Sequence, residues 1–444
     1  MATNSEKDST ELVYQLDERP APREAIFAAL QHLLAIFVAI VTPALIVSRA
    51  ISLDLETTSY MVSLSLIVSA IATFIQCRRP MGLGSGLLCV QGTSFSFIAP
   101  IISAGLTGGL PLIFGCCLAA APVEIIVSLL FKHLKRIFTP IVSGVVVTLI
   151  GLSLIKVGIT ACGGGFTAME SGTFGSFQSL GVAASVLVTI LLLNKSKNKY
   201  IRMSSIFIGI VIGYALALIL GMIPMDILRE TNWWNFNIPV PFKYGLDFDV
   251  SHIIAIAIIY LITSIEAAGD ITANTLISGG KIEGKEFDKR IERGVMADGA
   301  SSMLSAMLNS FPNSIFAQNN GIIQLTGVAS RYVGYYIAGM LLLLGLFPGV
   351  SIAFSVMPEA VLGGAALLMF GSVAASGIKI IASQPIDRRA ALVISAGLSV
   401  GLGVELVPEI LDQMPAMVKS TFASGITTGS ITAIITNIIV NFRK

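Results

Sequence analysis

Charge is what this sequence has least of: Asp, Glu, Lys and Arg make up 12% of its 444 residues. A water-soluble chain carries roughly 25%. A soluble globular domain is therefore excluded, and the hydrophobic share of 54% and mean hydropathy of +0.84 agree. The composition is that of a polytopic membrane protein. Histidine is scarce, with 3 copies, and the 5 cysteines (Cys77, Cys89, Cys116, Cys117, Cys162) show no metal-ligand spacing. They lie in or beside apolar stretches, so packing explains them better than a zinc site or a disulfide framework. No serine-with-base pair, metal cluster or paired aspartyl motif is present, which leaves an intramembrane enzyme without chemistry. Residues 1–24 are polar and hold no apolar core of signal-peptide type, so the first span is expected to act as its own insertion signal.

What is abundant is apolar length. Segments from 26–50 through 416–441 number roughly fourteen by the usual span rule. The third (84–103) and tenth (314–327) make poor helices, because VQGTSFSFIAP (90–100) and FPNSIFAQNNGIIQLTG (311–327) are rich in Gly, Ser, Thr, Asn and Pro. With the N-terminus placed in the cytoplasm, Arg49, Arg229, Lys243 and Lys419 face outward and Lys156 falls within a span. Every other Lys and Arg lands on the inner side, which predicts cytoplasmic N- and C-termini. The basic runs are read as charge at the lipid headgroups. Two Trp residues in ILRETNWWNFNIPVPFKYG (227–245) read as an interfacial belt.

The two poor spans lie half the chain apart. FTPIVSGVVVTLIG (138–151) and VMPEAVLGGAALLMFG (356–371) keep nearly the same offset, each with a Pro, then Gly, then another Gly. The expected fold is all-α and polytopic, built as two seven-span repeats. Seven is odd, so the second repeat lies inverted. Residues 88–94 and 312–317 are expected to be short extended (β) segments, each followed by a half-helix. Unpaired backbone is not tolerated in hydrocarbon, so the two would satisfy each other inside the protein. Their half-helices would aim N–H groups at the crossing, making a site for a polar, partly anionic small molecule. Close helix packing through glycine is the competing explanation, but the amides of Gln318, Asn319 and Asn320 exceed what packing needs.

Four acids fall within spans: Glu124, Glu266, Asp270 and Asp298. Glu266 and Asp270, in SIEAAGDITAN (264–274), share one helix face. Intramembrane acids usually face a cavity or a partner. Lys156 either pairs with Glu124 or sits at a span end. The other three acids need a proton or a ligand with N–H donors, or else a structural role bracing the broken segments. His32, early in the first span, either relays protons or binds substrate, or bonds a neighbouring helix. His133 and His252 sit at span ends and read as interfacial.

QNNGIIQLTG (318–327) resembles the signature of the nucleobase–ascorbate transporter family: an amide or acid, Asn, any residue, Gly, four residues, Thr. QH (31–32), GTSF (92–95), the Glu266–Asp270 pair, GVMADG (294–299) and GVASRYVG (327–334) also resemble family motifs, in order and over nearly the whole chain. Within the family the likeness is greatest to bacterial xanthine permeases. The resemblance implies a cytoplasmic tail (1–25) and a core domain from 26–131 and 251–354. It also implies a gate domain from 132–223 and 355–441, with an outer loop at 224–250 between the halves. It implies a homodimer in the inner (plasma) membrane that imports a nucleobase by alternating access. A proton is the expected coupling ion, with sodium kept open, and neither a metal nor another cofactor is expected. Nucleic acid is not an expected partner, while membrane lipid is.

By residue, the resemblance makes Glu266 the main substrate carboxylate and Gln318 the second side-chain contact. Backbone near Phe95 and Ala317 completes the site. Asp298 and Asp270 take coupling and site geometry, and Asn319 and His32 support the site. A xanthine or uracil ring offers alternating N–H and C=O groups in one plane, which a carboxylate and a Gln amide match, and Phe95 can cover the ring face. Where some xanthine permeases have Asn, this chain has Ser94, leaving room for the extra carbonyl of urate. In the uracil branch the position of Gln318 tends to be acidic and that of Asp270 tends to be His. The expected order is xanthine, then urate or both, then uracil. A sulfate-type anion carrier of the same architecture is the rival class, and it would want a positive site without Glu266 on the ligand.

Overall fold

The computed structural model describes residues 12–134, 139–198, 201–202, 204–223, 237–415, 418, 422 and 424–441. It is predominantly helical. In chain order the elements are α1 (Pro22–Ala50), α2 (Leu55–Arg78), β1 (Gln91–Thr93), α3 (Ile98–Ala120), α4 (Pro122–Leu134), α5 (Pro140–Cys162), α6 (Gly165–Glu170), α7 (Phe177–Asn194) and α8 (Ser205–Ile219). There follow α9 (Val250–Ile277), α10 (Lys285–Met307), β2 (Asn313–Ile315), α11 (Gln318–Thr326), α12 (Arg331–Leu346), α13 (Pro348–Ser355), α14 (Glu359–Ala382), α15 (Arg388–Leu406) and α16 (Gly425–Asn441). Among the described residues, 8 helices are long and apolar enough to cross a membrane, or 9 if α12 and the bent α13 count as one span. The Trp pair at 233–234 and the side chain of His133 lie outside the described residues.

Side-chain caps set where several helices begin. Asp54 accepts from the Thr57 N–H ahead of α2, Thr139 from Val142 ahead of α5, and Asp249 from His252 ahead of α9; each satisfies an otherwise orphaned N–H. The apolar run after β1 is not one straight helix. It opens with a 3-10 turn at Phe95–Phe97, runs into α3, and breaks at Gly109, whose φ of +67° suits glycine. The residues expected as a third span ending at 103 therefore continue as helix up to this break.

Two packing groups are evident. In one, α5 lies along α14, α15 along α16, and α7 against α8 and α14; in the other, α2 lies along α12, α10 against α4, and α9 against α3. The stretch before α1 is not a free tail throughout. Tyr14 bridges to Val328, and Asp17 meets the Arg331 guanidinium at 2.8 Å.

Candidate functional site at the strand crossing

The short extended segments pair with one another. β1 and β2 are antiparallel, with Gln91 opposite Ile315, Gly92 opposite Ser314 and Thr93 opposite Asn313. The Ser94 N–H donates to Pro312 O at 2.9 Å and the Phe316 N–H to Val90 O at 3.0 Å. Backbone that no helix satisfies is thus satisfied across the chain, and both strands are buried. They are shorter than the expected 88–94 and 312–317, because pairing needs only the few residues where the chains cross. Gly92 is required here: a Cβ would stand 2.6 Å from Phe316 Cζ and 2.7 Å from Ile40 Cγ1. Helices follow each strand: the 3-10 turn and α3 after β1, α11 after β2.

Helix α9 packs against β2, α11 and the 3-10 turn, which brings its polar face to the crossing. Glu266 is half-buried, and its Oε2 is enclosed with no hydrogen-bond partner among the described residues. Gly269 on α9 and Ala317, Gln318 and Gly321 at and within α11 are exposed, and a Cβ at Gly269 or Gly321 would meet nothing within 4 Å. Exposed surface therefore lies within a turn of Glu266 on α9 and includes Gln318 at the start of α11. Phe95, which opens the 3-10 turn, is buried and packs edge-on against Phe370 of α14, with ring centroids 5.5 Å apart. Ser94 is buried immediately before it.

The remaining expected residues are tied to the crossing and to α1 by hydrogen bonds. Asn319 Oδ1 lies 2.8 Å from His32 Nδ1, while its Nδ2 donates to Leu88 O. A carbonyl only accepts, so the amide orientation is fixed and the His32 Nδ1 carries the proton. His32 thus bonds a neighbouring helix through Nδ1, while its Nε2 has no partner among the described residues. Asp298 is fully buried, and its Oδ1 accepts from Gln91 Nε2, so this acid braces β1. Asp270 takes part through its backbone carbonyl, which accepts from Asn320 Nδ2 at 3.2 Å, while its Oδ2 has no partner among the described residues.

Lys156 does not pair with Glu124. It is exposed toward the end of α5, whereas Glu124 is buried, with Thr263 Oγ1 donating to its Oε1 at 3.5 Å. The two side chains occupy different packing groups, which the spacing along the chain does not reveal. Sequence reasoning missed Asn274, whose Nδ2 reaches both Leu88 O at 2.8 Å and Asn320 Oδ1 at 2.9 Å. The available signal was its place eight residues after Glu266, on the same helix face. It also missed Gln91 and Phe370, an aromatic in a Gly- and Ala-rich helix. A cavity of about 350 Å³ lies elsewhere, between the end of α1 and the start of α14, with Arg49 and Glu359 in its lining; none of the residues named at the crossing borders it. Among the described residues no group of His, Cys, Asp and Glu is arranged to hold a metal.

A multi-pass helical bundle with a polar crossing of broken segments at its centre is the build of a membrane permease rather than an enzyme. The sequence profile Xan_ur_permease, described as a permease family, matches residues 23–410, and the chain belongs to this family, the nucleobase–ascorbate transporters. It is 46% identical over 404 residues to the xanthine permease XanP of Escherichia coli K12, covering 89% of this chain and 87% of that protein. It is 44% identical over 398 residues to the xanthine permease XanQ of the same strain, covering 88% and 85%. The uric acid permease PucJ of Bacillus subtilis matches at 34% over 372 residues, covering 83% and 81%. Among solved structures, the transmembrane domain of the cyanobacterial bicarbonate transporter BicA superposes with a TM-score of 0.58 at 13% identity, over 96% of this chain and all of that one. That likeness concerns the fold alone.

Proposed function

We propose that this protein is a proton-coupled symporter that imports a purine nucleobase, with xanthine as the first substrate and urate as the second. The observation that carries this reading is the enclosed, unpartnered Glu266 Oε2 on α9, which packs against α11, where Gln318 is exposed. Glu266 accepts two ring N–H groups, and the Gln318 amide donates to a ring carbonyl and accepts from a further N–H. Phe95 covers the ring face, backbone near Ala317 completes the polar rim, and Ser94 sets the room beside the five-membered ring. Asn319 and His32 hold α11 in place, and Asp270 and Asp298 contribute coupling and site geometry. The names of XanP, XanQ and PucJ support the purine class and its two leading members.

In this reading the chain forms two inverted seven-span repeats, fourteen spans in all. The crossing, α1–α4 and α9–α13 make the core, and α5–α8 with α14–α16 make the gate. The Phe95–Phe370 contact then spans the two. Movement of core against gate exposes the site to one side of the inner membrane and then the other, with both termini cytoplasmic. The protein works as a homodimer and needs no cofactor beyond its coupling ion. A sulfate-type carrier is disfavoured, because the crossing gathers acids and amides rather than cations.

Competition uptake tests the reading: labelled xanthine against urate, uracil, guanine and sulfate, with and without a protonophore, and with sodium replaced. Xanthine uptake that xanthine and urate block, and that the protonophore abolishes, is the expected result. Glu266→Gln removes a charged acceptor for two N–H bonds and should lower uptake by about a hundredfold. Normal xanthine transport by this variant, at equal membrane abundance, would overturn the assignment.

A further inference from the structure

The cavity between the end of α1 and the start of α14 plays no part in the substrate site at the crossing. Its volume of about 350 Å³ is in the range of small-molecule pockets. Among the described residues that line it, Arg49 and Glu359 are the only charged ones. They stand on different helices and are not joined. Among the described residues the ion pairs are His252–Asp249 and Arg331–Asp17.

Both charges are fixed in place. Arg49 Nη2 donates to Met357 O and, at 3.4 Å, to Ser355 O. Its Nη1 is enclosed, with no hydrogen-bond partner among the described residues. A buried guanidinium nitrogen calls for an acceptor. The Glu359 carboxylate lies against Gly165, where a Cβ would collide with it, so the glycine makes room for this acid. Leu55, Met222 and Val356 add apolar wall. One helix face links the cavity to the crossing. Phe370, whose ring meets Phe95, follows Glu359 by 11 positions in α14. That is close to three turns, so the two side chains share a face about 16 Å apart.

We propose that this cavity is a second binding site, which takes a planar lactam or imide of the purine class before it reaches the crossing. The inference rests on the importer reading for the direction of travel and for the choice of xanthine as ligand. A ring carbonyl accepts from Arg49 Nη1, and a ring N–H donates to the Glu359 carboxylate. A lactam carries that acceptor and that donor in one plane, whereas sulfate carries no donor. Arg49 belongs to the proposed core and Glu359 to the proposed gate. A ligand held by both therefore lies on the seam along which the two move, at the outer end when the termini are cytoplasmic.

Equilibrium dialysis of labelled xanthine against the purified full-length protein in lipid nanodiscs tests this by counting ligands per chain. Two per chain are expected, and one in Glu266→Gln, where the crossing is disabled. In that background Glu359→Gln should weaken the remaining binding by about tenfold. Leu55→Trp, which fills the cavity, should abolish it. Urate should displace the remaining ligand and sulfate should not. With Glu266 intact, Glu359→Gln and Leu55→Trp should each keep the xanthine at the crossing, which also reports that the variant is folded. One ligand per chain in the parent and none in Glu266→Gln overturns the second site and leaves the proposed function standing. Remaining binding that neither substitution alters, or that sulfate displaces as readily as urate, also overturns it. Two ligands per chain in Glu266→Gln, with one lost in Leu55→Trp, would instead count against the crossing and support the second site. No xanthine bound by the parent overturns both.

Discussion

His32 and Asn319, 287 positions apart in the chain, stand 2.8 Å apart through Nδ1 and Oδ1. The bond joins α1 to the start of α11, and Asn319 adjoins the exposed Gln318. Asn319 has no freedom to turn, since its other amide atom is committed to Leu88 O. His32→Ala leaves a buried amide oxygen unsatisfied, which costs about 1–3 kcal/mol. Part of that cost should appear as misplacement of Gln318. The expected outcome is xanthine affinity lowered by about tenfold with protein abundance retained, measured by competition uptake against an abundance-matched control.

Asn274 makes a different kind of tie. It is buried in α9, two helical turns beyond Glu266, and bonds Leu88 O and Asn320 Oδ1 together. Asn274→Ala removes both donors' hydrogen bonds from a dry interior, so a stability loss of about 2–3 kcal/mol is expected. Thermal unfolding in detergent, with and without xanthine, checks this. A ligand that binds the folded state should restore part of the lost stability by mass action.

These ties show where sequence reading succeeds and where it stops. The broken spans were legible, because Gly, Pro and amide residues in an apolar run contradict a continuous helix, and β1 and β2 lie within the expected segments. The acids were legible because an ionisable group in hydrocarbon demands an explanation. Partners were not legible. Glu124 and Asp298 are separated by more than a third of the chain, and only the fold shows that their helices touch. Lys156 illustrates the converse: the sequence left it either paired with Glu124 or at a span end, and only the fold shows that its side of α5 is open. Asn274 lay unnoticed for a simpler reason, since one amide near a span end resembles ordinary interfacial polarity.

The start of α9 offers a pH-dependent test outside the membrane interior. Asp249 Oδ2 accepts from the His252 backbone N–H at 3.0 Å and lies 2.8 Å from its Nδ1. These bonds hold the Asp249 carboxyl below the usual aspartate range. A depressed folded value means that the stabilisation is present above the unfolded value, near 3.9, and is lost as pH falls through the folded one. Asp249→Ala should cost about 1 kcal/mol at neutral pH. The gap between variant and parent should then close in strong acid, as followed by unfolding midpoints across a pH series.

Specificity should be divided between two residues of the proposed substrate site. Ser94 is buried just after β1, directly before Phe95. Ser94→Asn adds an amide beside the position proposed for the five-membered ring, where urate carries a carbonyl that xanthine lacks. Urate competition should weaken by about tenfold relative to xanthine, a range typical of one steric or polar mismatch in a pocket. Gln318→Asn shortens the opposite contact by one methylene and withdraws the amide from both ligands alike. That substitution should lower affinity for xanthine and urate together by about tenfold without reordering them. The two competition profiles therefore differ in kind: a changed ratio for Ser94 and a common loss for Gln318. If both substitutions shift the ratio equally, the ring does not lie with its imide face on Gln318 and its five-membered ring at Ser94.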